Sequence, residues 1–351
     1  MSGVAAPDKC LKPLTSRSRG IGYPQTGQRV PTPGTYPGEP VGMSDLLIPM
    51  ASPPVLLRGE AIAAGLTDRT LARMVGRGEL HRLRQGAYVA GSTWRHEDLS
   101  GRHRLLARAV VAQAKSPVVV SHGSAMALHG GPVYGLKLDR VEVTRLDGRA
   151  CRREAGVRQH RGVLLVGDVA TREGLPVTGA TKTALDVTTV ASVEAGLVVV
   201  NALLNSGRTT MAELQHRYSS MDRDPFTQRT DLVLRLADPR IESVGESRFF
   251  HLAWRHGLPA PEPQYEVVDA GHVVARLDFA WPQHGVWLEF DGREKYVKHL
   301  RDSETVTDAV LREKRREDRV RELTGWRCIR ITWADLEDPE RLAARVLAFL
   351  Q

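Results

Sequence analysis

Between Gly271 and Gly292 the sequence alternates so regularly that it admits little besides an antiparallel strand pair. Residues 273–279 and 286–291 are strand-like runs, separated by the turn sequence Pro282-Gln283-His284-Gly285. Side chains along a strand point to opposite faces, so Leu288 and Phe290 share one face and Glu289 and Asp291 the other. In Arg276-Leu277-Asp278-Phe279 the same rule sets Asp278 against Leu277 and Phe279. Three carboxylates are thus expected on one side of one hairpin. Carboxylates so close repel unless a cation sits among them. Hard oxygen ligands on rigid strands suit Mg²⁺ or Mn²⁺. Any one of these acids alone is ordinarily a solvated residue on a half-exposed sheet, so the weight lies on the grouping.

A fourth acid precedes the hairpin. A helix is expected from Ser243, with Phe249, Phe250 and Ala253 on its apolar side. Glu246 lies three, four and seven residues before them, hence on the same face, turned toward the sheet. A carboxylate in that position is costly unless paired or liganded.

The rest of the 351-residue chain divides by texture. Residues 1–42 are dense in Pro and Gly, with almost no apolar periodicity, and are expected to be disordered or to precede the true start at Met43 or Met50. Residues 43–96 read as helix, tight turn, helix and basic hairpin, the outline of a winged helix-turn-helix. Thr67 is the expected N-cap of the second helix, and Leu71, Met74 and Val75 its apolar stripe. Residues 97–237 read as a mixed α+β middle domain with a helix over 102–114, strands over 118–120 and 141–143, and helices over 181–191 and 195–205. The final domain is 238–351. The fold class is α/β and multi-domain.

Hydrophobic residues at 42% and charged residues at 26% fit a globular protein. A formal net charge of +8 favours polyanionic partners such as nucleic acid, although arginine richness by itself carries no specificity. Cys10, Cys151 and Cys328 lie far apart, which indicates neither a zinc site nor a disulfide framework and fits a cytoplasmic protein. No run is long and apolar enough for a membrane span.

Glu246-Ser247-Arg248, Arg276-Leu277-Asp278-Phe279-Ala280-Trp281-Pro282, Glu289-Phe290-Asp291-Gly292, Glu313 to Asp318 and Gly325-Trp326-Arg327-Cys328-Ile329-Arg330 follow one another in an order that resembles the very-short-patch-repair-like endonucleases of the PD-(D/E)XK superfamily. The likeness covers about 241–351. It implies a restriction-endonuclease-like mixed sheet flanked by helices and metal-dependent hydrolysis of DNA phosphodiesters. Glu246, Asp278 and Glu289 match the metal-binding acids. Asp291 stands where the usual pattern has Lys, in the ExDG form of this branch, and Lys295 or Lys314 would supply the missing cation. Arg316 and Arg319, on an Arg-rich helix, would contact phosphate; the plainer reading of that helix is a solvated face of Glu–Arg pairs.

Residues 65–67 through 86–89, extended by Ser121-His122-Gly123-Ser124-Ala125, His129-Gly130, Gly174-Leu175-Pro176-Val177-Thr178 and Thr183-Ala184-Leu185-Asp186, resemble AbiEi-type antitoxins of toxin–antitoxin systems over about 55–200. That likeness implies a winged-helix repressor of its own promoter. Arg69, Thr70 and Arg73 would enter the major groove, and Arg82 and Arg84 on the wing would touch phosphate. A cognate toxin is the implied protein partner. His122 and His129 read as packed or hydrogen-bonded residues, since neither has an acid or cysteine at metal spacing. The leading expectation is a DNA-targeting module fused to a metal-dependent endonuclease. The alternatives are a non-catalytic antitoxin-like regulator on a degenerate nuclease fold and a protein-interaction module.

Overall fold

A computed structural model describes residues 55–147, 155–221, 227–291 and 306–351. The expected disordered segment 1–42 lies outside these residues, as do Cys10, Cys151 and Lys295. All described residues belong to one compact unit, Glu39–Gln351. Three sheets follow one another along the chain within it.

The first sheet is small. Strand β1 (Val55–Leu57) leads into α1 (Arg58–Ala63), α2 (Asp68–Gly76) and the hairpin β2 (Leu80–Arg84) and β3 (Ala87–Ala90). β3 lies between the other two, antiparallel to both. Thr67 caps α2 as its sequence predicts, its hydroxyl accepting from Thr70 N at 3.1 Å. Gly86, at φ 75°, makes the hairpin turn in a conformation open to glycine. Leu71 is the buried anchor of the helix.

Next come α3 (Gly91–His96) and α4 (Leu99–Gln113), followed by β4 (Val118–Val120), α5 (His122–Leu128), β5 (Val141–Arg145), β6 (Val157–His160), β7 (Val169–Arg172) and β8 (Leu175–Thr178). The α4 helix starts three residues before its predicted start because Asp98 caps it through Gly101 N at 2.7 Å. The five strands form a mixed sheet in the order β6-β5-β4-β8-β7. Helices α6 (Ala180–Val190), α7 (Val193–Asn205), α8 (Met211–Ser219) and α9 (Gln228–Leu236) share an aliphatic core that includes Leu185, Leu197, Leu203, Leu214 and Val233. This α+β region matches the mixed middle part expected from the sequence.

The third sheet begins after α10 (Val244–Arg255). It consists of β9 (Glu262–Asp269), β10 (His272–Trp281), β11 (Val286–Phe290) and, beyond α11 (Val306–Thr324), β12 (Arg327–Ile331). Helices α12 (Trp333–Leu336) and α13 (Pro339–Leu350) end the chain. The order is β12-β11-β10-β9, with β11 and β12 parallel and the other pairs antiparallel. One face carries Phe279, Trp281, Leu288, Phe290, Ile329 and Ile331 against Phe249 of α10 and Val346 of α13. The other carries Leu277, Ala280 and Trp287 against Val320 of α11. Burying each such large side chain is worth about 1.5–3 kcal/mol.

Strict alternation in β10 fails at one point. Leu277 and Phe279, predicted to share a face, join opposite cores. The neighbouring strand gives the reason. Leu277 pairs with Tyr265 and Phe279 with Pro263, and between those partners Gln264 adopts a left-handed φ of 54°. That kink turns the strand pair over at Asp278.

Candidate functional site

Two charged regions and one buried polar cluster stand out. On α2, Arg69 and Arg73 are exposed and one helical turn apart, on the side away from Leu71. Among the described residues neither has a carboxylate partner. Thr70 is half-buried, its hydroxyl 3.0 Å from that of Thr67, so it serves the helix cap. Asp68, also in the first turn, is held bidentately by Arg58 of α1 at 2.7 and 2.6 Å. The hydrogen bonds from Arg58 hold the Asp68 carboxyl below its ordinary value, so the acid stays ionised and its charge is matched by Arg58. On the wing, Arg82 is exposed and Arg84 half-buried. Wing strand β2 is braced from behind, where His81 stacks on Trp94 at 4.0 Å.

The acids of the third sheet meet differently. The printed pairing of β10 with β11 ends at Phe279 opposite Leu288, one residue short of Asp278 and Glu289. Asp278 is buried, and its Oδ2 accepts the Phe290 amide at 2.7 Å. Glu289 is half-buried on the α11 face, where Arg316 Nη2 lies 3.1 Å from its Oε1. Arg316 also donates through Nη1 to the Arg276 carbonyl at 2.8 Å. Glu246 sits in the first turn of α10, which Ser243 caps. It is buried, as its face predicts, and its Oε2 accepts from Gln264 Nε2 at 3.1 Å and Glu242 N at 3.0 Å. Gly245 permits this approach, because an added Cβ would lie 2.3 Å from the Phe290 ring. Asp291 follows β11, its amide donating to Ile331 O at 2.8 Å. Lys314 is exposed on α11. Lys295 lies outside the described residues.

The donor chemistry of these acids suits a divalent cation, but their arrangement does not. Among the described residues no three His, Cys, Asp or Glu side chains gather as a metal-ligating group. Arg316 is a cation beside Glu289. The same electrostatics reach Cys328 on β12: burial, with the charges of Glu317 and Glu289, pushes its thiol up to about 12. On α11, Arg319 pairs with Asp269 and Glu322, and Arg321 with Glu317 at 2.6 Å. The solvated-pair reading of this helix therefore describes much of its charge.

The buried cluster lies in the middle region and is not legible in the sequence as a site. His122 opens α5 at φ 53°, a left-handed conformation costly for a side-chain-bearing residue. Its ring stacks on His160 at 3.5 Å, and its Nδ1 meets Ser121 Oγ at 2.9 Å. Glu142 accepts from Gly123 N at 2.9 Å and lies 3.2 Å from His160 Nε2. Burial, reinforced by His160 and opposed by Glu142, holds His122 well below the ordinary imidazole value. His129 meets the Thr178 carbonyl at 2.8 Å, consistent with a packed residue. Lys182 and Asp186 form a buried pair one turn apart on α6. The Ser121-His122-Gly123-Ser124 run is a signal for the cluster, but its partners Glu142 and His160 are distant in sequence.

No helix among the described residues is long and apolar enough to cross a membrane. The family described as "Transcriptional regulator, AbiEi antitoxin" matches residues 51–91, the segment that carries α2 and the wing. A crystal structure of the RV2827C protein from Mycobacterium tuberculosis is similar at 17% identity and a TM-score of 0.35, covering 52% of this chain and 72% of that one, and at that score the likeness carries no argument. Two proteins of the same organism, "Uncharacterized protein MT2308" from strain CDC 1551 / Oshkosh and "Uncharacterized protein Rv2248" from strain ATCC 25618 / H37Rv, are each 30% identical over 288 residues. The alignments cover 81% of this chain and 97% of each relative. Overlap of that extent places the chain in the family of these two Mycobacterium tuberculosis proteins, with an N-terminal module similar to AbiEi antitoxin transcriptional regulators.

Proposed function

We propose that the protein is a cytoplasmic DNA-binding regulator of the antitoxin type. The observation that carries this reading is the exposed pair Arg69 and Arg73 on α2, inside the segment similar to AbiEi regulators. A guanidinium that meets no internal carboxylate is available to a phosphate or a guanine edge. Arg82 and Arg84 would hold the wing against the backbone, while Thr70 keeps the helix start in shape. A cognate toxin is the protein partner that the family similarity favours. The test is fluorescence anisotropy of the full chain on DNA from upstream of its own coding region, over a range of salt. Arg69→Ala/Arg73→Ala is expected to weaken binding about tenfold or more and to flatten the salt dependence. Unchanged affinity would remove α2 from the interface.

The bond from the Phe290 amide to Asp278, which brings that acid to the strand of Glu289, favours a second reading, a metal-dependent endodeoxyribonuclease using Mg²⁺ or Mn²⁺. Glu246, joined to Gln264 beside that pair, would be the third acid. Asp291 with Lys295 or Lys314 would complete the catalytic set. In the structure Arg316 Nη2 lies 3.1 Å from Glu289. Incubation of supercoiled and linear DNA with either cation, comparing wild type with Asp278→Ala/Glu289→Ala, separates the readings. Metal-dependent nicking by wild type alone establishes the nuclease. No cleavage with DNA binding intact leaves the regulator.

A further inference from the structure

We propose that Arg58 is the positioning residue of the DNA-binding module, a bridge that fixes the wing turn to the first turn of α2 so that both elements meet a duplex at one set spacing. This inference rests on the regulator reading, in which α2 and the wing contact DNA. Arg58 touches both elements. Its backbone amide donates to the Gly86 carbonyl, in the turn between β2 and β3, at 2.8 Å. Its Nε and Nη2 donate to Asp68 Oδ1 and Oδ2 at 2.7 and 2.6 Å. Asp68 opens α2, directly before Arg69. Arg58 is the first residue of α1, and the start of that helix is held by the Leu57 amide, which donates to Glu60 Oε2 at 2.8 Å. The turn has a second tether, from Gln113 Nε2 of α4 to the Gln85 carbonyl at 2.9 Å. Both carbonyls of the turn are thus engaged from outside the hairpin.

The place of the bridge decides its role. Residues 77–79 join α2 to β2, and the Glu79 amide donates to the Met74 carbonyl at 3.0 Å, so the chain itself fixes one end of the pair. The 9 residues of α2 span about 13 Å and the 5 of β2 about 17 Å, so the start of α2 and the tip of the wing lie well away from that join. Arg58 fastens this far end. The Arg58 and Asp68 side chains keep 53% and 63% of their exposure, and exposed ion pairs add little to stability. What a bidentate guanidinium–carboxylate fork adds is direction. The pair also settles the charge. An acid in the first turn suits the helix dipole, yet unpaired it would repel a phosphate approaching Arg69. Arg58 balances Asp68 and leaves Arg69 and Arg73 to the DNA.

The experiment is fluorescence anisotropy of the full chain on the duplex that tests the regulator reading, over a range of salt, with a thermal melt of each variant. Asp68→Asn removes a negative charge from the start of α2, so electrostatics alone predicts tighter binding. The bridge predicts the opposite: a loss of about threefold or more and a salt slope lower by about one, as when a phosphate contact disappears. The melting temperature should barely move. The deciding measurement is the contribution of the wing, taken as the Kd of Arg82→Ala divided by the Kd of its parent. That ratio should fall toward one when the parent is Asp68→Asn, because a wing out of place has no contact left to lose. Arg58→Gln, which keeps the backbone bond to Gly86, should lower the ratio in the same way, and it decides the matter if Asp68→Asn does not fold. Equal or tighter binding by Asp68→Asn overturns the bridge, as does the same Arg82 ratio in all three parents. If Arg69→Ala/Arg73→Ala weakens binding and Asp68→Asn does not, the regulator stands and the bridge falls. If wild type binds no DNA, both fall.

Discussion

Helices α2 and α11 both carry arginines at near-helical spacing, and they use the charge in opposite ways. On α2, Arg69 and Arg73 face solvent and meet no carboxylate among the described residues. On α11, Arg316, Arg319 and Arg321 each hold an acid of the same domain. Counting arginines would rank α11 as the stronger DNA-binding element; counting unspent arginines ranks α2. Net charge says how strongly a chain attracts polyanions on average, whereas the site of contact depends on which cations lack an internal partner.

The comparison breaks or holds on substitutions that remove one arginine at a time. The largest effect on stability is expected where an arginine is spent most deeply. Arg248 is buried, pairs with Glu194 at 2.8 Å and Glu337 at 3.1 Å, and lies 4.6 Å over the Tyr134 ring, tying α10 to the middle helices. Arg248→Ala should cost about 2–3 kcal/mol, below the range for fully buried pairs because Glu337 is exposed. In thermal denaturation that is a fall of several degrees. DNA affinity measured below the transition should stay within about twofold, since buried charge does not reach DNA. A large loss of affinity would show that Arg248 also shapes the interface.

Acid should expose the second kind of buried charge. His122, His103 and His129 are all held below the ordinary imidazole value of 6.5, chiefly by burial. The unfolded chain then binds protons that the folded chain refuses, so stability is full above about pH 6.5 and falls as pH drops below it. His122→Asn keeps a residue that tolerates positive φ and should flatten this acid limb in melts taken from about pH 7.5 to 5. An unchanged limb would clear His122 of the effect. The smallest change is expected on α11: Arg319→Ala should alter DNA affinity less than about twofold, against tenfold for the α2 double variant, with stability nearly unchanged, as for exposed pairs. Equal losses of affinity from the two helices would erase the distinction between spent and unspent arginines.

Local signals are legible in the sequence and long-range ones are not. Thr67 is a recognisable cap and caps as expected, and the helix expected from Ser243 is there, with Ser243 as its cap. The period-two pattern locates β10 and β11, and the placement of Glu246 on a buried helix face holds because a helix carries its own period. The swap of cores between Leu277 and Phe279 is hidden, because its cause is the backbone of Gln264 on another strand. Strands β6, β7 and β8 have four residues each, too few for a pattern, and β6 pairs in parallel with β5 across a long connection. Arg316 reads as a phosphate contact because sequence shows its charge but not its neighbour. The meeting of that arginine with Glu289 belongs to the packing of α11 on the sheet.

The parallel pairing of β11 with β12 also orders the assembly of the domain. Parallel neighbours cannot be joined by a tight turn, so the chain runs through α11 before β12 can close the sheet. As the chain leaves a ribosome, β9, β10 and β11 emerge first, and β11 begins as an open edge with its carboxylate in water. The guanidinium of Arg316 arrives next, and only then the strand that seals the edge. The chain order thus brings Arg316 and the helix that covers Glu289 to the sheet together, before β12 completes it.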